Sequence, residues 1–231
     1  MDTNEYIDLI SNQKPDIEQL IELLSDKVLS DDSLKQIVIN QLFSNDHILV
    51  YYHSFLILDK AIRKAPSLFY TYWENFESLL KHKNSYHRNY AMQLLAGLTK
   101  VDDQNKFDKI IDKYYELLND EKFLTRRYCI LNSLEIIKNK LELSDIIICK
   151  IVSFLRTSDC TEKQQNLLIS DLIQIVSEIF PLLTNIKELS QFLLLVGNQT
   201  KSARLKKQIV SIMPINRDLN TTIYYRPKKD S

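Results

Sequence analysis

Histidine, cysteine and carboxylate side chains are the groups in this sequence that could hold a metal ion or move a proton. Two histidines four positions apart would share one helix face, but neither that spacing nor a Cys-x-x-Cys pair occurs. The sequence therefore predicts no metal site and no cofactor. The histidines are interpreted instead as solvated or helix-start residues; they are His47, His53, His82 and His87.

Catalytic motifs that require glycine are absent as well. The only glycines are Gly97 and Gly197, and no Gly-x-Ser-x-Gly elbow surrounds a serine. The carboxylate pairs Asp31-Asp32 and Asp102-Asp103 fall at predicted helix starts, where negative charge complements the helix dipole. We therefore expect no enzymatic activity, and we interpret Gly97 as a point of close helix packing.

A row of cationic and aromatic residues at the starts of several predicted helices is the remaining candidate site. The candidate binding residues are Tyr51, Tyr86, His87, Arg88, Tyr90, Arg126, Arg127 and Lys163. A cation in the first turn of a helix opposes the helix dipole, so another interaction must favour it. One interpretation is a strip that binds an acidic peptide, a phosphate or a nucleic-acid backbone. The other is structural pairing with carboxylates of an adjoining unit, for which the candidates are Asp120, Glu121, Asp159 and Glu162.

Apolar residues recur at helical spacing along nearly the whole chain, and alternation with period two is not sustained. The pattern predicts helices at 4–12, 16–24, 31–43, 47–65, 67–82, 85–100, 105–119, 122–140, 144–157, 161–183, 186–197 and 201–213. Thr161 and Gln164 have the spacing of a capping box. The aromatic run 66–73 is interpreted as packing, with Tyr72 or Trp73 a binding candidate only if exposed. Residues 214–231 are expected to form a flexible, basic, polar tail.

The composition excludes several classes of protein. The chain has 231 residues, of which only two are glycine, so glycine-rich phosphate cradles and dinucleotide-binding turns are ruled out. No apolar run approaches the roughly 20 residues that a membrane span needs. The number of cysteines is odd, and Cys129 and Cys149 stand in apolar helical surroundings. These features predict free buried thiols and a cytoplasmic location.

The net charge of zero conceals two poles of opposite sign. Through Asp46 the sequence has ten acids and three lysines, whereas from Lys201 onward it has eight cations and two acids. In an elongated molecule these poles would remain separate and could pair head to tail between copies. The oligomeric state itself is left open.

The predicted helices repeat along the chain. Leu79-Leu80, Asn84, Arg88 and Ala91 align with residues 38 positions later, where Leu117-Leu118, Lys122, Arg126 and Cys129 stand. Each unit is a helix ending in a Leu-Leu pair, a polar turn, and a second helix with a small residue about one turn in. Because such a unit cannot bury its apolar face alone, neighbouring units are expected to stack.

The run from Leu79 to Ala91 resembles the HEAT-repeat class of the armadillo-like α-solenoids. Its Leu-Leu pair, turn Asn, helix-start Ser, Arg and Ala follow that motif. The resemblance implies an all-α fold, a right-handed α-α superhelix of about five to six stacked antiparallel helix pairs in one domain over residues 1–213. Three positions depart from the motif: Tyr51 replaces the Arg, Lys122 the turn Asp, and Asn166 the small residue.

Three functions are compatible with these features. The first is a non-enzymatic interaction or scaffold module that binds a protein or peptide, with an acidic peptide as one candidate partner and no membrane partner. The second is nucleic-acid binding, because some HEAT-like proteins act on alkylated DNA, although the neutral net charge argues against it. The third, by resemblance to HEAT-like phycobilin lyases, has no supporting residue.

Overall fold

The computed structural model describes residues 1–12, 15–183 and 187–212, and this part of the chain is helical without a strand. Its α-helices are α1 (Thr3–Ile10), α2 (Ile17–Lys27), α3 (Asp32–Ser44), α4 (Ile48–Lys64), α5 (Trp73–Ser78), α6 (Ser85–Leu98), α7 (Lys106–Tyr115), α8 (Phe123–Asn139), α9 (Ser144–Thr157), α10 (Glu162–Ile179), α11 (Lys187–Gln199) and α12 (Ala203–Ile212). The all-α prediction is confirmed. The predicted tail at 214–231 lies outside the described residues.

Short polar side chains begin several of these helices. The predicted capping box at Thr161 is present, since its hydroxyl accepts from the Gln164 amide and the Gln164 side chain accepts from the Thr161 amide. Asp2 and Glu5 form a second capping box at α1, and Asn84 caps α6. These bonds satisfy amide groups that have no partner inside the helix.

The segment predicted as one helix at 67–82 is less regular than expected. Only Trp73–Ser78 is α-helical, and 3-10 turns at Pro66–Tyr72 and Leu79–Lys81 flank it. Aromatic residues have lower helix propensity than unbranched side chains, which disfavours a regular helix across this run. Trp73 is 1% exposed and Tyr72 is half-buried, so the interpretation of the aromatic run as packing holds.

The helices contact one another in a regular order. Helix α4 packs on α6, α6 on α8, α8 on α10 and α10 on α12. The alternate helices are linked by ion pairs, from Lys113 of α7 to Glu77 of α5 and from Lys150 of α9 to Asp112 of α7. Within a unit, α3 packs on α4, α9 on α10 and α11 on α12.

Helix α6 lies at the most crowded place in this order. Tyr86 is exposed, but the residues of α6 from His87 to Leu98 are buried except for half-buried Gln93. A Cβ added at Gly97 would lie 3.1 Å from Cγ2 of Ile62 on α4, which confirms the prediction of close helix packing at this glycine. Near Gly97, Arg63 of α4 pairs with Glu135 of α8, with Nη1 and Oε1 3.2 Å apart.

The cysteines are free, as predicted, but not all are buried. Cys129 is fully buried, Cys160 is half-buried and Cys149 is exposed. The expectation of a buried thiol at Cys149 is therefore wrong, because this residue lies on the outer face of α9 beside Glu188. Within the described residues, no helix is both long and apolar enough to cross a bilayer.

Candidate interaction surface

Arg88 is buried in the turn between two units. Its side chain is 10% exposed and pairs with Asp120 in a bidentate arrangement, with Nε–Oδ2 and Nη2–Oδ1 distances of 2.7 and 2.9 Å. Nη1 donates to the carbonyl oxygens of His82 and Lys83. The guanidinium therefore closes the turn before α6 and joins it to the next turn.

Arg126 and Arg127 follow the same principle one unit later. Arg126 donates to the carbonyl oxygen of Asp120 and to the carboxylate of Asp159, at 2.6 Å for Nη1–Oδ1. The hydrogen bond from Arg126 lowers the pKa of Asp159 below its usual range. Arg127 reaches Asp171 of α10, with Nε and Oδ2 2.7 Å apart.

The structure thus favours the pairing interpretation for the three arginines over a strip of free cations. Asp120 and Asp159 pair with arginines, as the sequence suggested. Glu121 instead lies 3.7 Å from Lys122. Asp171, which pairs with Arg127, was not among the predicted partners. Because each of these arginines is paired with a carboxylate, none of them offers an unpaired charge to a partner.

Lys163 does not correspond to Arg88 and Arg126, because it stands 37 positions after Arg126, whereas the residues that precede the two helices, Lys122 and Thr161, are 39 positions apart. The residues that precede the helices are His47, Asn84, Lys122 and Thr161. Four positions after each stand Tyr51, Arg88, Arg126 and Gln165. The equivalent of the arginines is Gln165, whose Nε2 donates to the carbonyl oxygen of Leu155 at 2.8 Å. Lys163 is exposed and has no ion pair with another described residue.

Tyr51, His87 and Tyr90 belong to the core and not to the surface. The rings of Tyr51 and His87 lie 4.6 Å apart between centroids, and Tyr90 stacks on Phe55 at 4.1 Å. Burial, followed by the charge of nearby His82, lowers the pKa of His87 to about 4. The three residues are at most 6% exposed, so the expectation that they bind a partner is not compatible with their placement.

The interpretation of the histidines as solvated or helix-start residues holds for only part of the set. His47 precedes α4, as expected. His53 is 1% exposed and its Nδ1 lies 2.7 Å from the carbonyl oxygen of Ile10, while His87 is 4% exposed. Both were missed because an imidazole ring can pack against aromatic rings, as His53 does on Tyr52 and His87 on Tyr51. In the part of the chain that the structure describes, no three His, Cys, Asp or Glu residues converge as a metal site.

Asp102 shows why one carboxylate pair stands at a helix start. Its side chain accepts from the amides of Lys106 and Phe107 in the first turn of α7 and from the Tyr70 hydroxyl. Burial alone would raise the pKa of Asp102, but these hydrogen bonds and the charge of Lys140 lower it. These hydrogen bonds fix the start of α7 against Tyr70 of the 3-10 turn at Pro66–Tyr72.

Tyr86 is the candidate residue that is both aromatic and open to solvent, at 51% exposure. Comparable side chains stand near the starts of the neighbouring helices. We define the apolar strip as the exposed residues Tyr52 of α4, Tyr86 of α6, Leu124 of α8 and Leu167 of α10, at 39, 51, 47 and 38% exposure. Tyr90 joins the first two, because its ring centroid lies 6.4 Å from that of Tyr52 and 6.5 Å from that of Tyr86.

Charges of both signs border the apolar strip. The exposed residues of the adjoining turns and first helical turns are Asp46, Lys83, Glu121, Lys122, Glu162 and Lys163. Because the two signs alternate, they produce no field of one sign along the strip. The chemistry that this surface offers is therefore apolar contact and tyrosine hydroxyl groups, with little electrostatic selection.

Two open clefts lie elsewhere on the molecule. One of about 490 Å³ contains Arg63, Lys100, Glu135 and Lys138, and another of about 390 Å³ contains Asp112, Glu116 and Lys150. In the first cleft Arg63 is paired with Glu135, and in the second Lys150 is paired with Asp112. Comparisons with protein-family models, curated proteins and solved structures gave no match to this chain.

Proposed function

We propose that this protein is a non-enzymatic scaffold that binds a protein partner along the apolar strip, and that its helix pairs stack as a right-handed HEAT-like superhelix. The order of helix contacts supports the stacking. So does the spacing of the side-chain bridges: Arg88–Asp120, Lys113–Glu77 and Lys150–Asp112 join residues 32, 36 and 38 positions apart. Bridges of about one repeat length are what stacked units require, since each unit touches its neighbours.

The observation that carries the functional proposal is the regular placement of the four exposed apolar side chains. Tyr86 and Leu124 both stand two positions after the residue that precedes their helix, and Tyr52 and Leu167 lie within the first two turns of theirs. Exposed apolar side chains that follow one edge of a repeat array form an extended surface of the kind that such proteins use for binding.

The partner is proposed to be a protein segment with apolar or aromatic side chains. Tyrosine contributes a large contact area and a hydroxyl group at low cost in side-chain entropy. An acidic peptide is not specifically favoured, because charges of both signs border the strip. Nucleic-acid binding would require an excess of positive charge along this edge. Arg88, Arg126 and Arg127 are engaged by carboxylates, and the exposed lysines there alternate with acids. We place the scaffold in the cytoplasm.

Site-specific photo-crosslinking tests the strip directly. A photoreactive amino acid at Tyr86 or Leu124 should give one discrete crosslinked partner band in cells. The same group at Ile146 of α9, which is 44% exposed and lies away from the strip, is the matched control. Mass spectrometry of the adduct identifies whether the partner is a protein or a nucleic acid.

The partner identified in this way supplies the quantitative test. The double variant Tyr86→Ser and Leu124→Ser should weaken its binding by about tenfold or more, while the helical circular dichroism stays unchanged. Adducts that form equally well at Ile146, or an affinity that the double variant leaves intact, would contradict the proposal.

A further inference from the structure

The two ends of the described chain carry unpaired charge of opposite sign. At the first end, Asp8 of α1, Asp16 before α2 and Glu18 of α2 are exposed and form no ion pair with another described residue. Among the described residues of α1 and α2, the cationic side chain is Lys27 in the last turn of α2, and Lys60 and Lys64 of the adjoining α4 are already paired with Glu22 and Asp26. The surface formed by α1 and α2 is therefore acidic.

The other end is basic. Lys201 precedes α12, and Arg204, Lys206 and Lys207 lie on it. All four are exposed, and none forms an ion pair with another described residue. Among the described residues of α11 and α12, Glu188 is the acid, and it is already paired with Arg156 of α9 at 3.2 Å.

Each end also exposes an isolated aliphatic side chain. Leu23 on α2 is 64% exposed and Val210 on α12 is 63% exposed. Helix α12 packs on α10 and α11, and α1 and α2 pack on α4, so each end element is covered from the side of the chain's interior. On α12, Val210 stands three and four positions after Lys207 and Lys206 and shares their helix face, so this surface offers both contact area and electrostatic preference.

We propose that the acidic surface of α1 and α2 docks on the basic surface of α12 of a second copy of this chain, head to tail. Identical ends repel each other, because each carries charge of one sign, whereas unlike ends attract. The contact is thus between two different surfaces. Repeated use of one such contact builds an open chain or a ring and does not stop at a symmetric dimer.

Charge reversal tests this contact without threatening the fold. Arg204 lies in the first turn of α12, where a cation opposes the helix dipole, so Arg204→Glu favours the helix. Asp8 lies in the last turn of α1, where Asp8→Lys is favourable for the same reason. The basic-end variant combines Arg204→Glu with Lys207→Glu. The acidic-end variant combines Asp8→Lys with Glu18→Gln, which removes the charge of Glu18 without placing a cation in the first turn of α2.

The experiment is sedimentation equilibrium of the full chain at several concentrations, in low and in high salt. Raising the salt from 0.01 M to 1 M shortens the screening length from about 30 Å to about 3 Å. The wild-type protein should associate beyond a dimer at low salt and dissociate at high salt. Each variant alone should associate at least about tenfold more weakly. An equimolar mixture of the two variants should associate again, because each supplies the end that the other lacks.

The matched control carries the same charge change away from both ends, in Lys81→Glu with Lys109→Glu. Both lysines are exposed and have no ion pair with another described residue. This control should lower association much less than the basic-end variant. A wild-type protein that stays monomeric at low salt overturns the proposal, as does a dimer that forms equally in wild-type and variant proteins. Variants of the apolar strip should leave this association unchanged, so the two proposals fail separately.

Discussion

Between α4 and α10, many charged side chains are paired inside the fold, whereas Asp8 of α1, Glu18 of α2 and the cations of α12 face solvent and form no ion pair with another described residue. Arg88, Arg126 and Arg127 each meet a carboxylate 32 to 44 positions further along the chain. Lys201, Arg204, Lys206 and Lys207 have the same chemistry but form no ion pair with a described residue.

The difference follows from the segments that pack beside each helix. Helices in the middle obtain counter-charges from neighbouring segments, as Arg88 obtains Asp120 and as Lys64 obtains Asp26 of α2. Helix α12 is the last described helix, and no later described unit supplies it with acids. Charge in the middle therefore joins units, while charge at the ends remains available for another molecule.

The largest expected effect concerns the buried pair in the middle. Arg88→Met leaves Asp120 charged and buried and removes the donors to two carbonyl groups, which should lower the free energy of unfolding by about 3 kcal/mol. The control is Lys138→Met, since Lys138 pairs with Glu178 at 2.6 Å but is half exposed, and its loss should cost less than about 0.5 kcal/mol. Urea denaturation followed by circular dichroism measures both. Equal losses would mean that the Arg88 pair is no more protected from water than a surface pair.

A smaller effect is expected from the titration of His87. The pKa of this imidazole is about 4 in the folded protein and 6.5 in an unfolded chain, so between these values the unfolded state binds more protons. Stability should therefore fall by about 1 to 2 kcal/mol as the pH is lowered from about 6.5 to about 5. His87→Phe should lose this part of the pH dependence when urea midpoints are compared at several pH values. The same slope in both proteins would show that other groups cause it.

The smallest effect compares the two glycines. Gly197→Ala on α11 meets only ordinary contacts, at 3.6 Å from Ile209, and should raise the free energy of unfolding by about 0.5 to 1 kcal/mol through helix propensity. Gly97→Ala should gain less, because its Cβ would press on Ile62 at 3.1 Å. Thermal unfolding midpoints of the two variants decide the order. An equal gain at both sites would contradict close packing of α4 on α6.

Local signals in the sequence predicted much of the secondary structure. The positions of the helices follow from apolar periodicity, and the capping box at Thr161 follows from the short reach of a hydroxyl to a nearby amide. The segment predicted as one helix at 67–82 is α-helical only in part, because its aromatic residues have low helix propensity. The alignment of Lys163 with Arg88 and Arg126 was also wrong, since the equivalent residue is Gln165. A change in the spacing between helix starts leaves no mark on the helical pattern.

The sequence by itself determined that the chain is helical, where the helices begin, and that its two poles differ in sign, because these depend on neighbouring residues and on composition. Only the tertiary structure decided that Arg88 is buried against Asp120 while Tyr86, two positions earlier, faces solvent. Both residues stand in the first turns of one helix, and their roles depend on what the adjoining units place against each side. That information is distributed over residues more than thirty positions away, and no local pattern contains it.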